Sequence, residues 1–145
     1  MSQQNVEIVR RLQPGPDSDI TRIVRDDDVN AAWVDAVAPL FHSDFECVMM
    51  SPTEGPKTYP GLDGLRTAWV DWTAPWAKYR SEVEQVIDAG DHVVVLVRDF
   101  GRRGHSSQEV AFRAAAVWTL RDAKIARVAF YPDRRDALRA VGLQE

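Results

Sequence analysis

The sequence predicts an α+β fold in which a curved antiparallel sheet wraps round N-terminal helices. Two observations indicate this class. The front of the chain carries short helical patterns, and the back carries a long meander of strand-like segments joined by tight turns. The chain has 145 residues, of which 45% are hydrophobic, which is enough for one domain with its own core. We therefore expect a single domain over residues 1–145.

Three helices are predicted before the first strand. The first ends where Pro14 interrupts the chain, because proline cannot continue a helical hydrogen-bond ladder. The second is predicted over Asp19–Arg25, with Asp17 or Ser18 as its N-cap. The third is predicted over Val29–Phe41, where apolar residues recur at helical spacing.

A strand, an edge strand and a helix are predicted in the middle of the chain. Phe45–Met50 is an apolar run typical of a buried strand, and Lys57–Tyr59 is typical of a short edge strand limited by proline. Leu62–Trp76 is predicted as a helix with a stripe of leucine and tryptophan. Its three tryptophans could form a ligand-stacking wall, but packing against a sheet is the favoured interpretation.

The meander consists of four predicted strands, namely Tyr79–Ala89, His92–Arg103, Glu109–Arg121 and Lys124–Tyr131. In the first strand, Tyr79, Val83 and Ile87 are predicted to share one face. The second strand is apolar on both faces over Val93–Val97, so both faces need cover. A helix capped by Asp133 and followed by Gly142 is predicted to close the chain.

Composition excludes several classes of function. The net charge of −4 and the absence of any run of more than two Lys or Arg argue against a nucleic-acid surface. No apolar run approaches the ~20 residues of a membrane span. The single cysteine, Cys47, precludes an internal disulfide, so a cytoplasmic location is predicted. The triplet Asp26–Asp28 is better explained as a helix start than as a metal site.

Metal and cofactor motifs are not recognisable. His42, His92 and His105 lack the spacing of metal ligands, and no glycine-rich phosphate loop lies between a strand and a helix. We therefore predict that the protein uses neither a metal nor another cofactor.

Five segments of the chain resemble bacterial SnoaL-like proteins in order and spacing: Asn5–Leu12, Tyr59–Leu65, Asp88–Val95, Val117–Asp122 and Phe130–Arg134. These proteins belong to the superfamily that includes nuclear-transport-factor-like proteins, ketosteroid isomerase, scytalone dehydratase and polyketide cyclases. The resemblance implies a cone-shaped, cystatin-like α+β barrel. It also implies a cavity between the helices and the concave sheet face, and a homodimer through the convex face. It does not imply one reaction.

The positions that carry isomerase chemistry in this superfamily hold other residues here. The resemblance implies a carboxylate base near Ser51, where this chain has none, and a His or Asp near Ala116. Gln13 stands near the position of a tyrosine in many relatives. Simple transfer of ketosteroid isomerase chemistry is therefore not predicted.

Three other residues are candidates for catalysis. Arg98 and Asp99 are adjacent in a predicted strand, so their side chains point to opposite faces and one faces the cavity. The sequence does not decide which, and a surface ion pair is the favoured alternative. Asp44 has His42 beside it, an arrangement that suits proton transfer, although a loop histidine is the commoner explanation.

Two hypotheses follow from these residues. The first is a cofactor-independent isomerase, cyclase or hydrolase that acts on a small apolar molecule, for example a cyclic metabolite. The second is a non-catalytic small-molecule binder or dimerisation module of the same fold. The first hypothesis places the ligand in a pocket lined by apolar and aromatic side chains, namely Trp69, Phe112, Ala114, Ala116, Trp118, Val128 and Phe130. The second rests on the missing carboxylate near Ser51 and on the alanine at Ala116.

Overall fold

The computed structural model describes residues 2–143. The helices are α1 (Ser2–Leu12), α2 (Ile20–Arg25), α3 (Asp27–Val37), α4 (Gly61–Trp72) and α5 (Arg134–Ala140), with a 3-10 turn at Ala38–Leu40. The strands are β1 (Phe41–Met49), β2 (Lys57–Pro60), β3 (Lys78–Ala89), β4 (His92–Arg102), β5 (Glu109–Arg121) and β6 (Lys124–Tyr131). The predicted α+β class is confirmed.

The strands form one curved, open six-stranded sheet in the order β2-β1-β6-β5-β4-β3. The four meander strands pair antiparallel with their chain neighbours, as predicted. The sheet is nevertheless mixed, because β1 pairs with β6 in the parallel direction. Alternation of apolar residues reports which face a residue occupies but not the direction of its partner strand, so the sequence pattern did not predict this pair.

A bulge in β3 changes which residues face the cavity. Val83 pairs with Val97, but Gln85 pairs with Leu96, so Glu84 is an extra residue in the ladder. Tyr79 and Val83 therefore share the concave face, whereas Ile87 packs with the core cluster on the opposite face. The prediction that Ile87 shares a face with Tyr79 was wrong, because strict alternation does not survive a bulge.

The N-terminal ends of α2 and α3 are set by their capping aspartates. Asp19 itself, rather than Asp17 or Ser18, caps α2 by accepting a hydrogen bond from the Thr21 backbone N–H at 3.0 Å. Asp26 caps α3 in the same way, so its acidic neighbours begin a helix as predicted.

Two helix ends differ in how well the sequence predicts them. Helix α4 ends at Trp72 rather than Trp76, before Pro75, which cannot donate to a helical ladder. At the end of α5 the Leu143 N–H donates to the Leu138 carbonyl, and Gly142 has φ +80°. This is the glycine-terminated cap that the sequence predicts.

Helices cover both sides of the sheet. Helices α1, α3 and α4 pack with the concave face around a core that includes Val9, Leu65 and Val93. On the other face, Ala137 and Leu138 of α5 pack with Val94 and Leu96 of β4. The second apolar face of β4 is thus covered within the chain. The homodimer therefore stays a prediction, and the apolar pattern of β4 no longer supports it.

Candidate functional site

A cavity of about 720 Å³ lies between the helices and the concave face of the sheet. Residues of α2, α3 and α4 line one side, and residues of β3 to β6 line the other. Aromatic and aliphatic side chains make up most of the wall. Its size and lining suit a small apolar molecule.

Six of the seven predicted pocket residues line this cavity, namely Trp69, Phe112, Ala114, Ala116, Trp118 and Phe130. Alternate residues of β5 form the floor, with the two alanines between Phe112 and Trp118. The seventh, Val128, is not in the lining and is fully buried in the core. It lies between Cys47 of β1 and Trp118 of β5 in the sheet register, and these neighbours pack in the same core cluster.

Asp99 lies in the cavity wall, and only 4% of its surface is exposed. Arg98 is exposed on the opposite face, where its guanidinium lies 5.3 Å from the centroid of the Phe100 ring. The favoured expectation of a surface ion pair between the two was wrong. Because consecutive side chains of a strand alternate, burial of Asp99 requires that Arg98 point away.

Two hydroxyl groups hold the Asp99 carboxylate. Tyr79 donates its hydroxyl hydrogen to Oδ2 at 2.5 Å, and Ser81 donates to Oδ1 at 2.6 Å. The Trp72 indole N–H in turn donates to the Tyr79 hydroxyl oxygen at 2.9 Å. The bulge at Glu84 creates this arrangement, because it places Tyr79 and Ser81 on the same face as Asp99.

Aromatic rings pack round Tyr79, which is 1% exposed. Trp69, Trp76 and Phe112 have ring centroids 5.8 Å, 6.3 Å and 6.0 Å from that of Tyr79. The Trp76 ring lies against Gly101, where a β-carbon would stand 2.4 Å from a ring atom. Glycine at this position therefore allows the indole to pack beside the buried tyrosine.

Burial raises the pKa of Asp99 above the usual value for aspartate. The hydrogen bonds from Ser81 and Tyr79 and the charge of Arg134 act in the opposite direction but do not outweigh it. Burial also raises the pKa of the Tyr79 hydroxyl, and the negative charge of Asp99 adds to this effect. Tyr79 is thus a hydrogen-bond donor at every ordinary pH, while Asp99 is the group that can exchange a proton.

Asp44 does not belong to the cavity. It lies on β1 with 66% of its side chain exposed, at 2.8 Å from both Arg121 Nη2 and His42 Nδ1. The predicted proximity of His42 and Asp44 is confirmed, but the pair lies on the outside of the sheet. Among the described lining residues, Asp99 is the only carboxylic acid.

Sequence reasoning missed three polar residues of this site. Tyr79 and Ser81 escaped notice because their placement beside Asp99 depends on the bulge in β3, which has no clear sequence signal. Asn30 lines the cavity from α3, three residues before Trp33, and this helical spacing could have revealed it. Gln13 also lines the cavity, but its amide nitrogen donates to the Val9 carbonyl at 2.9 Å.

The described residues do not assemble a metal site. Within residues 2–143, no group of three or more His, Cys, Asp or Glu side chains is placed to hold a metal ion. In the same part of the chain, no helix has the length and apolar character to span a membrane. Cys47 is buried in the core, and burial raises the pKa of its thiol to about 12.

Comparison with known proteins identifies the family. The sequence profile of the SnoaL-like domain matches residues 20–128, so the chain belongs to the SnoaL-like family. No curated protein shows significant sequence similarity to the chain.

Solved structures show the same fold. A protein from Jannaschia sp. CCS1 assigned to the SnoaL-like polyketide cyclases is 21% identical, with a TM-score of 0.66 over 99% of this chain and 94% of that one. TerC, co-crystallised with polyporic acid, is 19% identical, with a TM-score of 0.62 over 95% and 98%. A protein of ketosteroid isomerase-like fold from Catenulispora acidiphila, in complex with trimethylamine, is 18% identical, with a TM-score of 0.56 over 90% and 95%.

Proposed function

We propose that the protein catalyses proton transfer on a small, apolar ring compound and that Asp99 is the catalytic acid–base group. The single observation that carries this proposal is a buried carboxylic acid with a raised pKa in the wall of an aromatic cavity. Because its pKa is raised, such a group binds a proton more readily than an exposed aspartate does, which suits general acid–base catalysis.

The hydrogen bonds of Asp99 are compatible with this role. A carboxylate has about four lone-pair positions, and Tyr79 and Ser81 occupy one on each oxygen. A lone pair on each oxygen is therefore left for a substrate proton. The two donors orient the carboxylate. The aromatic rings limit the access of water, which would stabilise the charged carboxylate and make it a weaker base.

The shape of the cavity floor supports a ring-shaped substrate. Phe112 and Trp118 are six residues apart on β5, and at ~3.3 Å per residue this gives a floor of roughly 20 Å. Small alanines between two aromatic residues leave room for a flat ligand. The similarity to TerC, co-crystallised with polyporic acid, and to a protein assigned to the polyketide cyclases supports the same class of ligand.

Deuterium exchange tests this proposal. The probe is 2-tetralone, a small bicyclic ketone with acidic C–H groups, in D₂O, with exchange followed by NMR. We expect the wild-type protein to accelerate exchange over buffer and the Asp99→Asn variant to lose that acceleration. Binding of 2-tetralone in the cavity without any acceleration by the wild-type protein would contradict proton transfer on ketones of this class.

One observation favours a second candidate function, a non-catalytic small-molecule binder. Both oxygens of Asp99 already accept hydrogen bonds from residues of the chain, so the carboxylate can be a structural element of the wall. In that case the Asp99→Asn variant would bind 2-tetralone less tightly or melt at a lower temperature, and no exchange would be accelerated by either protein.

A further inference from the structure

Asn30 interrupts an apolar helix face that lines the cavity. Asn30, Trp33 and Val37 are spaced at three and four residues on α3, and all three lie in the cavity wall. Trp33 and Val37 belong to the core that packs against the sheet. A polar residue at the first position of this stripe has no role in that packing.

The side-chain amide of Asn30 lacks a partner within the described part of the chain. Its backbone N–H donates to the Asp26 carbonyl at 2.9 Å, but its side chain makes no hydrogen bond with residues 2–143. Only 7% of the residue is exposed. Amides of residues this deeply buried are nearly always hydrogen-bonded. The Asn30 amide is not among the fully covered side-chain atoms of residues 2–143 that lack a partner, so a molecule in the cavity can reach it.

Other amides of the chain follow that rule. Asn5, which is equally buried, donates its amide to the Gly90 carbonyl at 3.1 Å, and Gln13 donates to the Val9 carbonyl. The indole N–H of Trp118 is also unpaired within residues 2–143, but that nitrogen is fully covered and therefore out of reach of a ligand. Asn30 is distinguished by an unpaired amide in a residue of the cavity wall that keeps some exposure.

We propose that Asn30 is a specificity-determining residue that hydrogen-bonds an oxygen of the bound ligand. An amide offers both a donor and an acceptor, so it pairs with a hydroxyl or with a carbonyl group. The ligand class is then an apolar ring compound that carries such an oxygen at the edge facing α3. This inference deepens the proposed function and rests on it only in placing the ligand in the cavity.

A matched pair of ligands measures the preference of the cavity for a ligand that carries an oxygen. The probes are 2-naphthol and 2-methylnaphthalene, which differ in a hydroxyl and a methyl group of similar size, and equilibrium dialysis gives the two affinities. In the Asn30→Leu variant, we expect the affinity ratio of naphthol to methylnaphthalene to fall about tenfold from that of the wild-type protein. The Asn30→Ser variant replaces the amide with a shorter hydroxyl group that can also hydrogen-bond, and it should retain part of the preference.

Thermal unfolding without ligand supplies an independent readout. Because leucine has the same branched shape as asparagine and extends the apolar stripe of Trp33 and Val37, the Asn30→Leu variant should melt at a higher temperature than the wild-type protein. An amide that served the packing of α3 would give the opposite result. An unchanged affinity ratio, a lower melting temperature, or failure of both probes to bind would each overturn the proposal.

The Asp99→Asn variant separates this inference from the proposed function. Asn30 and Asp99 lie on different elements, so the naphthol preference should persist in Asp99→Asn while exchange on 2-tetralone is lost. A naphthol preference in a wild-type protein without exchange activity would leave the role of Asn30 standing and refute proton transfer. Exchange activity without a preference for naphthol would support proton transfer and refute the role of Asn30.

Discussion

Two aspartates of the same sheet, Asp99 and Asp44, occupy opposite electrostatic environments. Asp99 is 4% exposed and its partners are neutral hydroxyl groups. Asp44 has a side chain that is 66% exposed and has Arg121 as a charged partner at 2.8 Å. The residue type is the same, so the face of the sheet and the charge of the partners decide what each carboxylate can do.

The pKa values of the two groups move in opposite directions. Burial raises the pKa of Asp99 more than its neutral hydrogen-bond donors lower it. For Asp44 desolvation also acts upward, but the charges of Arg121 and His42 outweigh it and the pKa lies below the usual value. A carboxylate held ionised by cations is a poor proton acceptor, whereas a desolvated one is a good acceptor once ionised.

The largest expected difference between the two is in catalysis. Asp99→Asn removes the proposed acid–base group while it preserves the shape of the side chain, and should slow exchange on 2-tetralone by about 10²- to 10⁴-fold. Asp44→Asn is the matched control, and its rate should equal that of the wild-type protein. NMR exchange rates at saturating 2-tetralone measure both.

Circular dichroism should show both variants folded before the rates are compared. Equal losses of rate in the two variants would show that the distinction between the buried and exposed aspartates has no catalytic meaning.

Substitution of Tyr79, one of the two hydroxyl partners of Asp99, should have the next largest effect. Tyr79→Phe leaves the Trp72 N–H without its acceptor and Asp99 without one donor, so we expect a loss of about 1–3 kcal/mol in the free energy of unfolding. The lost donor stabilised the charged form of Asp99, so the pKa of Asp99 should rise further.

Two measurements check the Tyr79→Phe variant. Urea unfolding gives the stability change, and the pH–rate profile of exchange should have its acidic limb displaced to higher pH. Phenylalanine retains the packing of the ring, so a loss of stability without any displacement of the profile would assign Tyr79 a structural role alone.

The sequence was a good guide to the elements and a poor guide to the inside of the cavity. Apolar alternation predicted β5 and β6 with their bounds, and Asp133 with Gly142 predicted the last helix. These features are local, since each depends on residues within one turn or one strand.

The site depends on features that are not local. The bulge at Glu84 shifts the alternation of side chains between the two halves of β3. This shift places Tyr79 and Ser81 on the same face of the sheet as Asp99. A bulge is set by how two strands fit together, so the alternation within β3 could not reveal it. The same holds for α5, whose cover of β4 depends on where the chain passes after the last strand.

The pH dependence of stability should also separate the two environments. The folded state raises the pKa of Asp99 above the unfolded-chain value near ~3.9 and so binds its proton more tightly. The stabilising contribution of Asp99 is therefore fully present below about pH 4 and is lost as the pH rises through the raised folded pKa.

Asp99→Asn does not titrate at this position. The melting temperature of the wild-type protein, taken relative to that of Asp99→Asn, should accordingly fall as the pH rises above about 4 and through the raised folded pKa of Asp99. Differential scanning calorimetry in buffers of equal ionic strength measures it. A relative melting temperature that rises over this range would mean that Asp99 is stabilised in its charged form.

The smallest effect is expected from the exposed cluster of His42, Asp44 and Arg121. Exposed ion pairs contribute little, since water and salt screen them and two side chains lose freedom when they pair. Asp44→Asn should lower the melting temperature slightly in low salt and not at all in about 0.5 M NaCl, where the screening length is only a few ångströms. Thermal unfolding in the two salt concentrations, with Arg121→Gln as the reciprocal variant, tests this expectation. A loss that persists in high salt in both variants would show that the cluster holds β1 to the β5–β6 hairpin, which would give the outer carboxylate a structural role that the buried one lacks.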